Sequence, residues 1–440
     1  MDPKNQVAIG SKGGIEAVVR AMGAHESSAG VQENGCMALN NHAKNVENQG
    51  PIAAKGGIEA VVRAMGAHGS SVRVQQAGCA ALMNLSYNMK DKRLIAAKGG
   101  IEAVVRAMGA HESSAGVQAT GCLALTNFAF DPKNQVAIGP KGGIEAVVRA
   151  MAAHGSSAGV QERGCLALET FALDPKNQLA IGEVGGIEAV VRAMGAHGSS
   201  VRVQVIGCMA LNNLAYNVEN QGPIVAKGGI EAVVRAMGAH ESSASVQETG
   251  CLALETFAVD SKNRVVIGEK GGIEAVVRAM AAHGSSAGVQ KRGCTALLGL
   301  AINAANRVAI ASKRGIQAVV LAMGRHESSA EVQQAGCSAL FNLAVNNPNN
   351  QLAIAAKGGA EAVVRAMAAH ESSVEVQQAG CWALGNIALW ASGLGSHVRE
   401  ADAVTVVKKA LSAFPYNLGL QAHGRFVWMK LGARSVFQFW

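Results

Sequence analysis

One motif returns at a fixed interval along almost the whole chain. Gly-Gly-Ile-Glu-Ala-Val-Val-Arg-Ala-Met begins at Gly13, Gly56, Gly99, Gly142, Gly185, Gly228 and Gly271, each 43 residues beyond the last. It recurs as Arg314-Gly315 and, after one inserted residue, as Gly358-Gly359. A second mark, Gly-Cys, begins at Gly35, Gly78, Gly121, Gly164, Gly207, Gly250, Gly293, Gly336 and Gly380. Units of this length bury their apolar faces against their neighbours, so such a chain stacks supersecondary units instead of folding around one core. A stack offers a long surface and no ready-made active site.

The chain is 49% apolar but only 4% aromatic, so Ala, Val, Ile, Leu, Met and Cys must build the interior. Its 53 glycines sit at fixed repeat positions, which argues against disordered low complexity. The formal charge is +8. Much of the excess is one row just before the glycine pair: Lys12, Lys55, Lys98, Lys141, Lys227, Lys270, Lys313 and Lys357. Two readings of this row stay open: a solvated loop edge, or a basic edge that attracts nucleic acid or acidic partners. No aromatics interleave it, as a single-strand platform would need. The start, Met-Asp-Pro-Lys-Asn-Gln, has no hydrophobic stretch behind a basic end, so no secretory leader is expected. No apolar run is long enough to predict a membrane span. Nine cysteines, an odd number without paired spacing, suit a reducing compartment, cytoplasmic or nuclear.

The unit from Asp131 to Leu173 predicts three helices. Asp131 caps the first and Pro132 fits its opening turn. Gly142-Gly143 turns the chain into the second, where Ile144, Val147, Val148 and Met151 form an apolar stripe. Glu145 and Arg149 are spaced as a favourable i,i+4 pair. Ser156-Ser157 then caps a third helix, from Ala158 to about Phe171, with Val160, Gly164, Leu168 and Phe171 inward.

These residues carry a resemblance. Asn-Gln-x-x-Ile, then Gly-Gly-Ile-Glu-Ala-Val-Val, then Val-Gln-x-x-Gly-Cys-x-Ala-Leu-x-Asn-Leu-Ala resembles the armadillo repeat of the beta-catenin and importin-alpha kind. The match spans essentially the whole chain and recurs nine times in register. A degenerate tenth copy fits Val404 to Leu431, with Val404, Val407 and Leu411 as its stripe and Gly424 keeping the glycine. The resemblance implies an all-α fold, a right-handed α-solenoid of about ten three-helix repeats whose third helices line a concave groove. Residues 1–388 would hold repeats one to nine. Residues 389–440 would form a carboxy-terminal cap with an aromatic tail.

Two rows imitate chemistry. The histidines His25, His68, His111, His154, His197, His240, His283, His326 and His370 end the second helices, where an imidazole can meet unpaired helix carbonyls. The cysteine row stands at repeat spacing, roughly 8–10 Å, too far for a disulfide or a shared metal. It reads as a small apolar core position. The glycine before each cysteine costs helix stability, about 0.5–1 kcal/mol, so close packing at that point is expected. No nucleophile motif, phosphate-binding loop or metal motif stands outside the repeat, so neither an enzyme nor a cofactor is expected.

In the armadillo family the third helix presents a Trp and, four residues later, an Asn that bonds the backbone of an extended peptide. The resemblance maps that Asn onto Asn41, Asn84, Asn127, Asn213, Asn342 and Asn386, with Thr170, Thr256 and Gly299 breaking the ladder. Only Trp382 fills the Trp position, so a segment with long basic side chains held between stacked tryptophans is not supported. Groove positions vary more between copies than the rest of the unit. Among them Glu162, Glu169, Glu248 and Glu255 are expected to form an acidic zone across repeats four to six that takes a basic or polar extended segment. Copies one and two resemble copies five and six, 172 residues on, which indicates block duplication. Within it His42 and Lys44 replace Leu214 and Tyr216, as an end repeat facing water would. Trp382, Trp390, Trp428 and Trp440, with Phe414, Phe426, Phe437 and Phe439, crowd the carboxy-terminal end, as a larger apolar cap or, over Ser435 to Trp440, a partner-binding tail. The reading is a monomeric, non-catalytic protein-binding scaffold. The alternative is a nucleic-acid or acidic-surface binder using the Lys edge.

Overall fold

Each unit folds as its capping residues direct. The computed structural model describes residues 12–388 and 400–437. In repeat four the Asp131 carboxylate accepts the amides of Lys133 (3.0 Å) and Asn134 (3.2 Å), starting the first helix at Pro132–Ile138. The second helix is Gly143–Ala153. The Ser157 hydroxyl accepts the Val160 amide at 3.4 Å and starts the third, Ala158–Phe171. Ile138, Val147, Met151, Cys165, Leu168 and Phe171 are buried and form the shared interior.

The glycine pair serves two needs. The first glycine takes the left-handed region in eight copies, with φ between 75° and 85°. The second lies against the first helix: a Cβ at Gly143 would stand 3.1 Å from the Ile138 carbonyl oxygen. Repeat eight puts Arg314 in the left-handed position, at φ 65°. An L-residue pays on the order of 1–2 kcal/mol there, and glycine's larger unfolded freedom cancels part of any gain. Arg314→Gly should therefore stabilise the protein by about 0.5–1 kcal/mol, and a melting temperature equal to or below wild type would refute that account.

The glycine before each cysteine does mark close packing, but within a repeat. A Cβ at Gly164 would reach the Met151 thioether sulfur at 2.6 Å, and Met151 belongs to the second helix of the same unit. In the tenth copy Leu411 takes the methionine's place, 2.8 Å from a Cβ at Gly424.

The histidines need correction. The carbonyls at the end of the second helix are met by a buried glutamine of the third: Gln161 Nε2 donates to Met151 O (2.8 Å) and His154 O (2.9 Å). The same fork recurs from Gln32 to Gln421. The imidazole instead reaches back one repeat, with His154 Nε2 2.7 Å from Glu112 O. A carbonyl only accepts, so Nε2 carries the proton.

Successive repeats are joined by further seams. Asn134 and Asn177 donate to Lys92 O (3.0 Å) and Gln135 O (2.8 Å) between first helices. Within each unit the third helices of successive repeats pack side by side, as Ala29–Ala43 does on Val72–Leu85 and Ala287–Leu300 on Ala330–Ala344. The Glu/Arg pairing expected inside the second helix is mostly replaced. Arg149 lies 3.9 Å from Glu112 of the preceding repeat, and among the described residues only Glu188–Arg192 closes the i,i+4 arrangement, at 3.9 Å. The glutamate turns to its own helix's amino end and to the next repeat's lysine, as Glu59 does with Lys98.

The chain divides into two compact units, 1–229 and 230–440. Each is a stack of three-helix repeats, an all-α solenoid architecture. The boundary expected after residue 388 lies beside residues outside the described ones, as do Trp390, Phe439, Trp440 and the side chains of Ser435 and Phe437. Two helices, Glu400–Ala413 and Leu418–Phe437, occupy the stretch read as the tenth copy. Its aromatics are not all interior: Phe426 and Trp428 are about two-fifths exposed (40% and 42%). Leu420, Gly424 and Val427 hold the inward stripe, and neighbours of Val427 fall off it. His42 also departs from expectation. It is buried, because it occupies the register of the core residue Leu214, whereas Lys44 is exposed.

Candidate functional site

The third helices place the Asn ladder and its neighbours along one row in each unit. In the first unit the ladder is partly spent on stacking. Asn84 Nδ2 donates to Asn40 Oδ1 at 2.7 Å. Asn127 Nδ2 lies 3.4 Å from Met83 O, and Asn213 Nδ2 lies 3.2 Å from Glu169 O. Asn41 is half-buried and also engaged. In the second unit Asn342 Nδ2 donates to Leu298 O at 2.9 Å. Each amide thus holds the neighbouring helix, an outcome that conformational patterning within one unit could not reveal.

The four glutamates fall two in each unit, and several are already matched. Glu162 bonds Arg202 at 2.7 Å. Glu169 keeps its carboxyl half-buried; burial raises its pKa, Thr170 and Asn213 oppose, and the net shift is upward. In the second unit Glu255 accepts Thr295 Oγ1 at 2.7 Å and stands 3.5 Å from Arg292. The Glu248 carboxylate lies over Gly288, leaving 2.7 Å between a Cβ there and Oε1.

The last part of the row differs. Trp382 stands between Phe341 (ring centroids 5.7 Å) and His423 (5.4 Å, edge-on). Its indole N–H is buried without a hydrogen-bond partner among the described residues. Asn386, one turn on, is half-buried and makes no hydrogen bond among them. The Phe341 and His423 neighbours were not readable as a cluster, since they occupy different positions of their own repeats and only stacking aligns them.

Six of the eight lysines in the row are paired. Lys55–Glu16 (2.7 Å), Lys98–Glu59 (2.9 Å), Lys141–Glu102 (2.6 Å), Lys227–Glu188 (3.0 Å), Lys270–Glu231 (2.8 Å) and Lys313–Glu274 (2.8 Å) are ion pairs to the preceding repeat. The cysteines are free and buried. Burial pushes the thiols of Cys79 and Cys165 up to about 12, so they are inert at neutral pH. Among the described residues no group of three His, Cys, Asp or Glu could hold a metal ion, and no helix is long and apolar enough to cross a membrane.

Three-helix units, a left-handed glycine before the second helix and packed third helices define an armadillo-repeat protein. A family model described as the LRRK2 ARM repeat matches residues 4–178 and again 143–357. The chain belongs to that family. No curated protein matches it. Among solved structures it is similar to an engineered protein of the Northeast Structural Genomics Consortium, with TM-score 0.83 and 25% identity over 95% of this chain and 98% of that one. It is also similar to a chain from the work on a conserved phosphorylation switch controlling the interaction between cadherin and beta-catenin, with TM-score 0.76 and 14% identity over 97% and 85%. A second engineered protein from the consortium aligns with TM-score 0.50 and 25% identity over 55% of this chain and 96% of that one.

Proposed function

We propose that this protein is a non-catalytic scaffold that binds extended segments of partner proteins along its third helices, with Trp382 and Asn386 as the principal contacts. Membership of an ARM-repeat family supports the scaffold role. The observation that carries the site is the half-buried amide of Asn386, which makes no hydrogen bond among the described residues and stands one turn from the Trp382 ring. An amide both accepts from and donates to a peptide unit, while the half-buried Trp382 ring, its N–H buried, offers an apolar face beside it. Phe341 and His423 hold the indole in place from either side. The amides of Asn84, Asn127, Asn213 and Asn342 already donate within the stack, so they contribute through their remaining oxygen acceptor. The unpaired acceptors among Glu162, Glu169, Glu248 and Glu255 are few, which supports a polar segment over a strongly basic one.

Peptides selected by display on the intact chain test this. Losing two Asn386 hydrogen bonds of about 0.5–1.5 kcal/mol each together with the Trp382 ring contact, Trp382→Ala with Asn386→Ala should weaken the selected peptides about ten-fold or more. Asn84→Ala, Asn127→Ala and Asn213→Ala together should weaken them less. Affinity unaltered by both sets of changes would sink the reading.

A further inference from the structure

Most rows that recur in register are buried or bonded between repeats. One is neither. At the turn from a third helix into the next first helix stand Tyr87, Phe130, Leu173 and Tyr216. They are 60%, 55%, 57% and 65% exposed. The side chain changes from copy to copy while its apolar character stays. Val136 and Leu179, on the adjoining first helices, add exposed apolar surface. A single exposed apolar side chain is ordinary. A registered row of them marks a surface that something covers.

Three residues after the first three members come Lys90, Lys133 and Lys176, all exposed. Glu47 and Glu219 occupy the same register on either side of them. Unlike six of the lysines before the glycine pair, these three form no ion pair among the described residues. The nearby carboxylates are occupied: Asp131 takes Arg93 at 2.7 Å, and Asp174 takes the Lys176 and Asn177 amides at 3.0 and 3.1 Å. Asp91 is buried and bonded to Asn88. Those caps also fix the turn, so the apolar residue and its lysine keep one geometry from repeat to repeat. Lys92 lies 5.6 Å over the Phe130 ring and adds to the positive field.

We infer that this edge of the first unit, from Tyr87 to Tyr216, docks an acidic extended segment of a partner protein with an apolar side chain at every third position. Packed helices step by roughly 8–10 Å. A three-residue-per-turn extended chain rises about 9 Å per turn, so every third side chain meets the next member of the row. Carboxylates between them face the lysines. Leu173, Val136 and Leu179 suit side-chain packing, whereas a nucleic-acid platform needs aromatic faces throughout. The corresponding positions of the second unit are Val259 and Ile302, with Lys262 beside the first and Ala305 beside the other.

The probe is a fluorescein-labelled run of Phe-Glu-Asp triplets, measured by anisotropy on the intact chain. Replacing Tyr87, Phe130, Leu173 and Tyr216 by serine should weaken it at least about ten-fold. So should Lys90→Glu, Lys133→Glu and Lys176→Glu together, and added salt should weaken the wild-type complex. The changed side chains are exposed, so both variants should melt as wild type does. Trp382→Ala with Asn386→Ala should leave this peptide unaffected, which separates the edge from the third-helix site. The inference is overturned if the peptide does not bind or if either set leaves its affinity unchanged. It is equally overturned if oligothymidylate or vesicles of phosphatidylserine and phosphatidylcholine bind more tightly than the peptide and lose that binding in the same variants.

Discussion

Gly164→Leu is expected to unfold repeat four locally and to lower the midpoint of denaturation. Its Cβ alone would fall 2.6 Å from the Met151 sulfur, and three more carbons would follow into a sealed interior. Overpacking costs about 1–3 kcal/mol and more where the neighbours cannot yield. Met151 is buried, as are Val147 and Leu168, and its carbonyl is held by Gln161, so the cost should reach the upper end. Removing glycine from a helix interior returns only about 1 kcal/mol. Met151→Ala alone empties the same space and should cost on the order of 2–5 kcal/mol. Combined, the two changes should cost less than their sum, because the leucine fills what the methionine vacates. Hydrogen exchange across residues 158–171 reads the local effect. A wild-type midpoint in Gly164→Leu, or strict additivity in the double variant, would refute the packing account.

The second large effect is expected at Gln161. Leucine there would fit the space but strand the carbonyls of Met151 and His154, which the amide meets at 2.8 and 2.9 Å. A stranded buried acceptor costs about 1–3 kcal/mol, so Gln161→Leu should lose on the order of 2–4 kcal/mol. His154→Ala should cost less, because it removes one half-exposed bond to Glu112 O. Equal losses from the two variants would restore the imidazole to the capping role and remove the glutamine from it.

Much of the fold was legible because its signals are local. Asp131, Pro132, Ser157 and the Gly142-Gly143 pair act within one turn of where they stand, so each helix start could be read from adjacent residues. Even so, His154 was assigned the carbonyls that Gln161 takes. Both side chains were plausible donors, and only the crossing of the second and third helices decides which amide or imidazole points at them. The candidate site was less legible. The positions of Asn127, Asn213 and Trp382 followed from the resemblance, but not which of their polar groups are already in use.

The sequence alone determined the period, the helices, the all-α class and the sorting of apolar faces, because each depends on spacing within a single unit. Tertiary structure decided what remains free on the surface. Asn84 and Asn127 meet residues 44 positions away, Asn134 and His154 meet residues 42 away, and the paired lysines meet glutamates of the preceding repeat. Those partners become neighbours only when one unit packs on the next. The same packing leaves Tyr87, Phe130, Leu173 and Tyr216 uncovered, with unpaired Lys90, Lys133 and Lys176 beside the first three.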